Sequence, residues 1–237
     1  PILQAVLKIE NIQIANASSV YAIPIAHYVF SQILRWNKRI DHHIEYQQSK
    51  NWAPIAGDGE LTNKTLVILG YGGIGSQVAK LGKAFGMRVT GIRRNPQDDE
   101  HADEVLGLDR FEELLPLTDY LVLSLPDSPQ TRDIINADIL EKLSNSAMII
   151  NVGRGTAINE EDLSDALNGE KIAAAALDTT KVEPLDASSS LWTAKNCFIS
   201  AHDSAHSLLS LERAFELFFQ NIKNIKNGDQ IVNLYSE

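Results

Sequence analysis

Three side chains of this sequence are suited to proton transfer and anion binding: Arg154, Glu183 and His202. Each lies at or just beyond the end of an apolar stretch with strand character, and these stretches read AMIINV, AAAALD and CFISAH. In a parallel sheet the carboxyl ends of the strands share one edge, and ligands bind along that edge. We therefore expect the three side chains to contribute to one site.

The residue types indicate what such a site would do. A guanidinium flanked by glycines, as in Gly-Arg154-Gly, can bind a carboxylate through a fork of two hydrogen bonds. An imidazole held by a carboxylate has a fixed tautomer and suits proton exchange with a carbonyl or carbinol oxygen near neutral pH. The simpler interpretations are a surface ion pair for Arg154 and a surface imidazole for His202.

A glycine-rich segment supplies a second candidate site. Residues 66–94 read LVILGYGGIGSQVAKLGKAFGMRVTGIRR, which predicts a buried strand, a tight loop, a helix and a second strand. In such units the glycines permit the turn, the approach of a pyrophosphate and close packing of the helix on the sheet. A purely structural turn is the alternative. The predicted cofactor-binding residues of the loop are Gly70, Gly72, Gly73, Ile74 and Gly75.

The end of the second strand indicates which dinucleotide would bind. Sites that prefer NAD usually place an acidic residue there to bind the ribose hydroxyls. This chain has Arg93 and Arg94 instead, and the next carboxylate is Asp98. Two guanidiniums would attract a 2′-phosphate, so we predict NADP(H) in preference to NAD(H), with NAD possible. Two solvated surface arginines are the alternative.

Composition and charge exclude several classes of protein. The 237 residues carry a formal charge of −10, which argues against nucleic acid as the main partner. No apolar run reaches the ~18 residues that a membrane span needs. The first residues lack the features of a signal peptide, and Cys197 is the only cysteine, so no internal disulfide calls for an oxidising compartment. We expect a cytoplasmic protein.

The elements that would position these sites alternate along the chain. Helices near 74–86, 109–115, 136–143 and 159–168 follow successive apolar strands, which predicts a Rossmann-type, doubly wound parallel α/β sheet. Before it we predict a strand at 12–16 and one long helix at 24–47. After it, residues 208–227 form an apolar helical stripe.

The two ends of the chain are too short to be domains by themselves. We predict that residues 26–207 form the dinucleotide-binding domain. Segments 1–25 and 208–237 would then form part of a smaller substrate domain that caps its cleft. Since the chain begins without an initiator methionine, we expect the natural chain to extend further toward the N-terminus.

Together, these motifs resemble the D-isomer-specific 2-hydroxyacid dehydrogenases, which include glyoxylate/hydroxypyruvate reductases, D-lactate dehydrogenases and 3-phosphoglycerate dehydrogenases. The resemblance runs over almost the full length. It rests on the ordered motifs Asn16-Ala-Ser-Ser-Val, Ile25-Ala-His, Gly70-Tyr-Gly-Gly-Ile-Gly75, Leu125-Pro-Asp-Ser-Pro-Gln-Thr-Arg132, Ile150-Asn-Val-Gly-Arg-Gly155, Leu177-Asp178, Glu183-Pro-Leu185 and Ser200-Ala-His202.

The resemblance implies a role for each candidate. Arg154 would bind the 2-oxo acid, Glu183 would support the histidine, and His202 would donate and accept the proton. Further cofactor contacts would come from Pro126 and Thr131, and from Asp178 beside the nicotinamide carboxamide. The enzyme would be a 2-oxoacid reductase, working as a homodimer.

Three departures from the family pattern stand near these residues without removing them. His27 replaces a common Glu, Ala201 replaces the usual Pro before the histidine, and Lys181-Val182 replaces an aromatic or acidic run. His206 lies four residues after His202, but the absence of a Cys or HExxH pattern argues against a metal site. The alternative function is an NAD(P)-binding sensing or interaction protein without turnover.

Overall fold

The computed structural model describes residues 12–56 and 59–234. Its centre is a sheet of seven parallel strands in the order β3-β2-β1-β4-β5-β6-β7. The strands are β1 (Thr65–Leu69), β2 (Arg88–Ile92), β3 (Glu104–Leu106), β4 (Tyr120–Leu123), β5 (Met148–Asn151), β6 (Ala174–Leu177) and β7 (Cys197–Ile199). The predicted doubly wound fold is confirmed, with its reversal of strand order between β1 and β4.

Seven α-helices accompany the sheet in the described part of the chain. They are α1 (Ala22–Asn37), α2 (Ile40–Gln48), α3 (Gly73–Ala84), α4 (Phe111–Leu114), α5 (Ala137–Lys142), α6 (Glu160–Asn168) and α7 (Ser210–Asn227). Within the same residues, none of these helices has the length and apolarity required to cross a membrane.

Side chains from the two faces of the sheet form two separate cores. Val67 and Leu69 of β1 belong to one buried cluster, while Leu66 and Ile68 belong to the other. Successive residues of a strand point to opposite faces, so an unbroken apolar run is what a strand covered on both faces requires. The sheet is therefore a rigid base whose carboxyl edge carries the loops of both candidate sites.

Three sequence predictions about elements are wrong. The helix predicted at 24–47 is two helices, because Arg39 between them has a φ of 52°. The strand predicted at 12–16 is only an isolated antiparallel bridge between Ala15 and Leu234. His202 does not end a strand, since β7 stops at Ile199.

The first and last segments that the structure describes contact each other. Besides the bridge at Ala15, the Asn16 amide donates to the Asn233 carbonyl over 3.0 Å. Beside this contact α7 exposes apolar side chains, including Phe215 and Phe218. The predicted division into 26–207 and a two-ended substrate domain remains a proposal, and its parts at 1–11 and 235–237 lie outside the described residues.

Candidate active site

Gly70 forms the tight turn after β1, and only a glycine fits there. Its φ is +100°, and a Cβ would lie 2.8 Å from the Ser124 carbonyl carbon. The Gly70 and Tyr71 amides both donate to the Ile92 carbonyl at the end of β2, over 3.0 and 2.8 Å. The loop is thus fixed between the ends of β2 and β4.

The next glycines leave open space at the N-terminus of α3. A Cβ on Gly72 or Gly73 would meet nothing within 4 Å, whereas one on Gly75 would lie 3.1 Å from the Gly70 carbonyl oxygen. Gly75 therefore lets α3 pack closely. Unpaired amides at a helix N-terminus attract phosphate, so the open space and the helix end fit a dinucleotide pyrophosphate. Ile74 is half-buried beside this turn.

Tyr71, to which the sequence analysis assigned no role, is the buried aromatic residue of the glycine loop. Its side chain is 3% exposed and lies against Gly91 of β2, where a Cβ would be 2.2 Å from the ring. Its hydroxyl lies beside Asp99 and Ser76, and burial raises the pKa of the phenol. The ring therefore supports the glycine loop from beneath.

We expect Gly91→Ala to destabilise the protein, because the added methyl group would force the Tyr71 ring out of its position. Overpacking of this kind costs typically ~1–3 kcal/mol. Urea unfolding would measure the loss. Gly73→Ala is the matched control, since its methyl group meets open space on a helix and should leave the free energy of unfolding equal or slightly higher. Equal values for Gly91→Ala and Gly73→Ala would contradict this packing.

The arginines at the end of β2 are available to a ligand. Arg93 is half-buried and Arg94 is exposed, and in the described part of the chain neither side chain has a hydrogen bond or ion pair. Asp99, a half-buried carboxylate on the segment after these arginines, is turned toward α3. It accepts from the Ser76 hydroxyl over 3.3 Å and from the His101 amide over 2.9 Å.

The loop after β4 is held by Thr131. Its hydroxyl donates to the Pro126 carbonyl over 2.7 Å and accepts from the Ser128 amide over 3.0 Å. The structure thus gives Thr131 a role in shaping the loop, while Pro126 is exposed at its surface. Contact of either residue with a cofactor remains a proposal.

The loop after β5 presents Arg154. Asn151 is fully buried, and its amide group both accepts from the Gly153 amide and donates to the Arg154 carbonyl, each over 3.1 Å. A Cβ on Gly155 would lie 1.9 Å from the carbonyl carbon of Thr180, so this loop packs directly on the loop after β6. The exposed Arg154 guanidinium donates only to the Gly153 carbonyl, over 2.7 Å, within the described residues.

Glu183 and His202 form a direct pair. Glu183 Oε2 lies 2.9 Å from His202 Nδ1, and Glu183 Oε1 accepts from the Thr180 amide over 3.2 Å. The carboxylate is therefore anchored at one oxygen and holds the imidazole with the other. A carboxylate accepts from Nδ1–H, which leaves Nε2 as the nitrogen that can exchange a proton with a ligand.

His202 has an unusual backbone that a buried carboxylate supports. Its φ is 55°, in the left-handed region that non-glycine residues rarely adopt. The His202 amide donates to the Asp178 carbonyl over 2.9 Å, and Asp178 itself is 1% exposed. The Asp178 carboxylate accepts from the Ser200 hydroxyl over 2.7 Å and from the amides and hydroxyl of the residues that follow His202.

A cleft of about 500 Å³ opens beside this pair. Residues that line it are Asp178, Thr180, Glu183, Pro184, Leu185, Trp192, Ile199, Ser200, Ala201 and His202. The structure thus brings Glu183, His202 and Asp178 together. Arg154 stands on the adjoining loop, and no hydrogen bond or ion pair joins it to Glu183 or His202 in the part of the chain that is described.

Sequence reasoning missed Ser200, which binds Asp178, because only the folded loop brings the two residues together. In residues 12–56 and 59–234, no group of three or more His, Cys, Asp or Glu side chains could hold a metal ion, and His206 is simply exposed.

The sequence of this chain is similar to a known protein family and to proteins of known activity. Residues 30–204 match the model of the D-isomer specific 2-hydroxyacid dehydrogenase, NAD binding domain. A hydroxypyruvate reductase of Blautia hydrogenotrophica is 30% identical over 236 residues, which cover 94% of this chain and 71% of that protein.

Solved structures show the same likeness in three dimensions. A D-isomer specific 2-hydroxyacid dehydrogenase family protein of Aeromonas salmonicida superposes with a TM-score of 0.86 at 31% identity, covering 99% of this chain and 76% of the other. A probable 2-hydroxyacid dehydrogenase of Rhizobium etli, in complex with NADP, HEPES and L(+)-tartaric acid, gives a TM-score of 0.83 at 26% identity, covering 97% and 73%.

Proposed function

Because this chain belongs to the D-isomer specific 2-hydroxyacid dehydrogenase family, we propose that it transfers hydride between NAD(P)H and C2 of a small 2-oxo acid. The observation that carries the proposal is the 2.9 Å contact between His202 Nδ1 and Glu183 Oε2 beside an open cleft. A Rossmann-type sheet with a glycine loop at its carboxyl edge supplies the second requirement, a dinucleotide site.

His202 and Glu183 have different roles in the proposed reaction. The reduced nicotinamide, when bound, supplies the hydride to C2. His202 gives the Nε2 proton to the forming alkoxide, so that one hydride and one proton together convert the ketone to the alcohol. Glu183 keeps Nδ1 protonated and stabilises the imidazolium before the transfer. In the reverse direction His202 takes the proton from the hydroxyl group.

Arg154 is the proposed site for the substrate carboxylate. Its guanidinium is exposed and, among the described residues, has no hydrogen bond or ion pair with a carboxylate. Nη1 donates to the Gly153 carbonyl over 2.7 Å, which leaves Nη2 and Nε for a ligand. The contact of Gly155 with Thr180 ties the Arg154 loop to the loop that carries Glu183. This connection would keep the carboxylate site and the proton donor in register.

We expect Arg154→Lys to raise KM for 2-oxo acids and to lower kcat, with a loss in kcat/KM of up to about 10²-fold. Lysine keeps the charge but replaces a planar fork with a point donor, so the carbonyl would be badly oriented. Steady-state kinetics would be compared for a 2-oxo acid and for the corresponding 2-oxo amide. Equal losses for both substrates would mean that Arg154 does not read the carboxylate.

The cofactor contacts are proposed from the geometry of the loops. The open N-terminus of α3 above Gly72 and Gly73 would take the pyrophosphate, and Pro126, Thr131 and Asp178 would lie along the nicotinamide half. Arg93 and Arg94 have no partner within the described residues, which supports a preference for NADP(H). The bound NADP of the Rhizobium etli protein is consistent with that preference.

We also propose that the chain works as a homodimer in the cytoplasm. The exposed apolar side chains of α7 support an association, since contiguous apolar surface of this kind usually marks an interface. The single cysteine fits a reducing compartment. Light scattering on the purified chain would measure the dimer mass directly.

Turnover tests the proposed function. With NADPH and glyoxylate, hydroxypyruvate or pyruvate, loss of absorbance at the nicotinamide band should follow substrate addition. An NAD(P)-binding sensing protein would bind NADPH without this loss. Binding without turnover for all three substrates would therefore favour that alternative.

A further inference from the structure

We infer that Tyr28 is a positioning residue for His202, acting through Ser200 and Asp178. The inference rests on the proposed role of His202 as the proton donor. Tyr28 lies on α1, far from His202 in the sequence. It belongs neither to the glycine loop nor to the three candidate catalytic residues.

Two short hydrogen bonds connect Tyr28 to Asp178. The Tyr28 hydroxyl lies 2.7 Å from Ser200 Oγ, and Ser200 Oγ donates to Asp178 Oδ1 over 2.7 Å. A serine hydroxyl has one proton, which Ser200 gives to the carboxylate. Tyr28 must therefore be the donor in the first bond. Its donated proton fixes the orientation of the Ser200 hydroxyl.

Asp178 passes this constraint to the backbone around His202. Asp178 Oδ1 also accepts from the Asp203 amide over 3.0 Å, and both carboxylate oxygens lie 3.2 Å from the Ser204 amide. The Asp178 carbonyl accepts from the His202 amide. The carboxylate and the carbonyl of one buried residue thus hold the chain on both sides of the imidazole.

The backbone of His202 needs this support. A φ of 55° costs energy in a residue with a Cβ, and such conformations persist only where surrounding contacts determine them. If Ser200 lost its fixed orientation, Asp178 would hold the segment less firmly, and the 2.9 Å contact with Glu183 would loosen. Burial also raises the pKa of Tyr28 to about 12, so the phenol remains a donor at neutral pH.

A double-mutant cycle on Tyr28→Phe and Ser200→Ala would test the chain of contacts. We expect each single change to lower kcat about tenfold, since small displacements of a catalytic group have effects of this size. The dissociation constant of NADPH, measured by fluorescence, should change far less than kcat, because the glycine loop proposed to take the pyrophosphate is not part of these contacts. The double variant should be no slower than the slower single variant, because the two residues act as a unit.

Tyr120→Phe is the matched control. Tyr120 is buried, whereas Tyr28 is half-buried, and within the described residues its hydroxyl has one hydrogen bond, which it accepts from Asn37 over 3.3 Å. Tyr120 begins β4, at the opposite edge of the sheet from the candidate site. The Tyr120→Phe variant should have the kcat of the wild type. If Tyr28 had a purely structural role, Tyr28→Phe and Tyr120→Phe would change both the melting temperature and kcat to the same extent.

Nitrogen NMR of the histidine rings, in the protein without cofactor, gives a readout independent of turnover. We expect the His202 ring signals to move toward a mixture of tautomers in Tyr28→Phe and in Ser200→Ala, while those of His206 stay fixed. Unchanged His202 signals, or multiplicative losses of kcat in the double variant, would overturn the inference. If the wild type showed no turnover, the proposed function would fail, and the ring signals would still decide the role of Tyr28.

Discussion

We expect His202→Ala to reduce 2-oxo acids about 10²–10⁴-fold more slowly than the wild type, because a positioned general acid usually contributes this factor to the rate. The affinity for NADPH should hardly change, because the imidazole stands beside the cleft after β7 and the glycine loop follows β1. Rates would be measured at saturating NADPH, and binding by fluorescence titration.

His206→Ala is the matched control for that loss. His206 is exposed four residues further along and does not line the cleft, so its removal should leave the rate intact. Full activity in His202→Ala would remove the proton-donor assignment. Equal losses in the two variants would point to a disturbed loop rather than to missing chemistry.

The second large effect concerns the choice of cofactor. Arg93→Asp combined with Arg94→Ala should shift the preference from NADPH toward NADH by roughly 2–4 kcal/mol, the scale of hydrogen bonds between charged groups. The arginines have no competing partner within the described residues, and the new carboxylate would repel a 2′-phosphate while it accepts from ribose hydroxyls. The ratio of kcat/KM for the two cofactors gives the shift.

Arg88→Ala provides the control on the same strand. Arg88 begins β2 and is exposed at the opposite edge of the sheet from Arg93. It should leave the cofactor ratio unchanged. A wild type that prefers NADH, with a ratio that the double substitution does not move, would contradict the role given to the arginines.

The sequence predicted the sheet well because its strands are buried on both faces. Runs such as LVIL and AMII have no polar position, and such strands occur almost only where helices cover both sides of a parallel sheet. The short strand β3 (Glu104–Leu106) was missed, since three residues beginning with Glu carry too little pattern. The break in the predicted helix 24–47 depends on the backbone of Arg39, where no glycine or proline signals a stop.

The candidate site could be predicted only in part, because its supporting contacts join residues far apart in the sequence. Glu183 and His202 are recognisable by residue type in the segments that follow two apolar strands, and the structure does pair them. The contacts that support the two sites join distant parts of the chain. Tyr28 meets Ser200 across 172 positions of sequence, behind the pair, and Tyr71 supports the glycine loop only because Gly91 leaves room for its ring. No local pattern encodes such contacts, because they depend on how α1 and β2 pack in the finished fold.

Transfer of deuterium from the cofactor to the substrate would show the proposed hydride transfer itself. The protein would be incubated with pyruvate and with NADPH that carries deuterium at both C4 positions. NMR would locate the deuterium in the product, and a chiral column would identify its configuration. We expect one deuterium at C2 of the D-2-hydroxy acid. A product without deuterium at C2, or bound NADPH with no product from any 2-oxo acid, would contradict it.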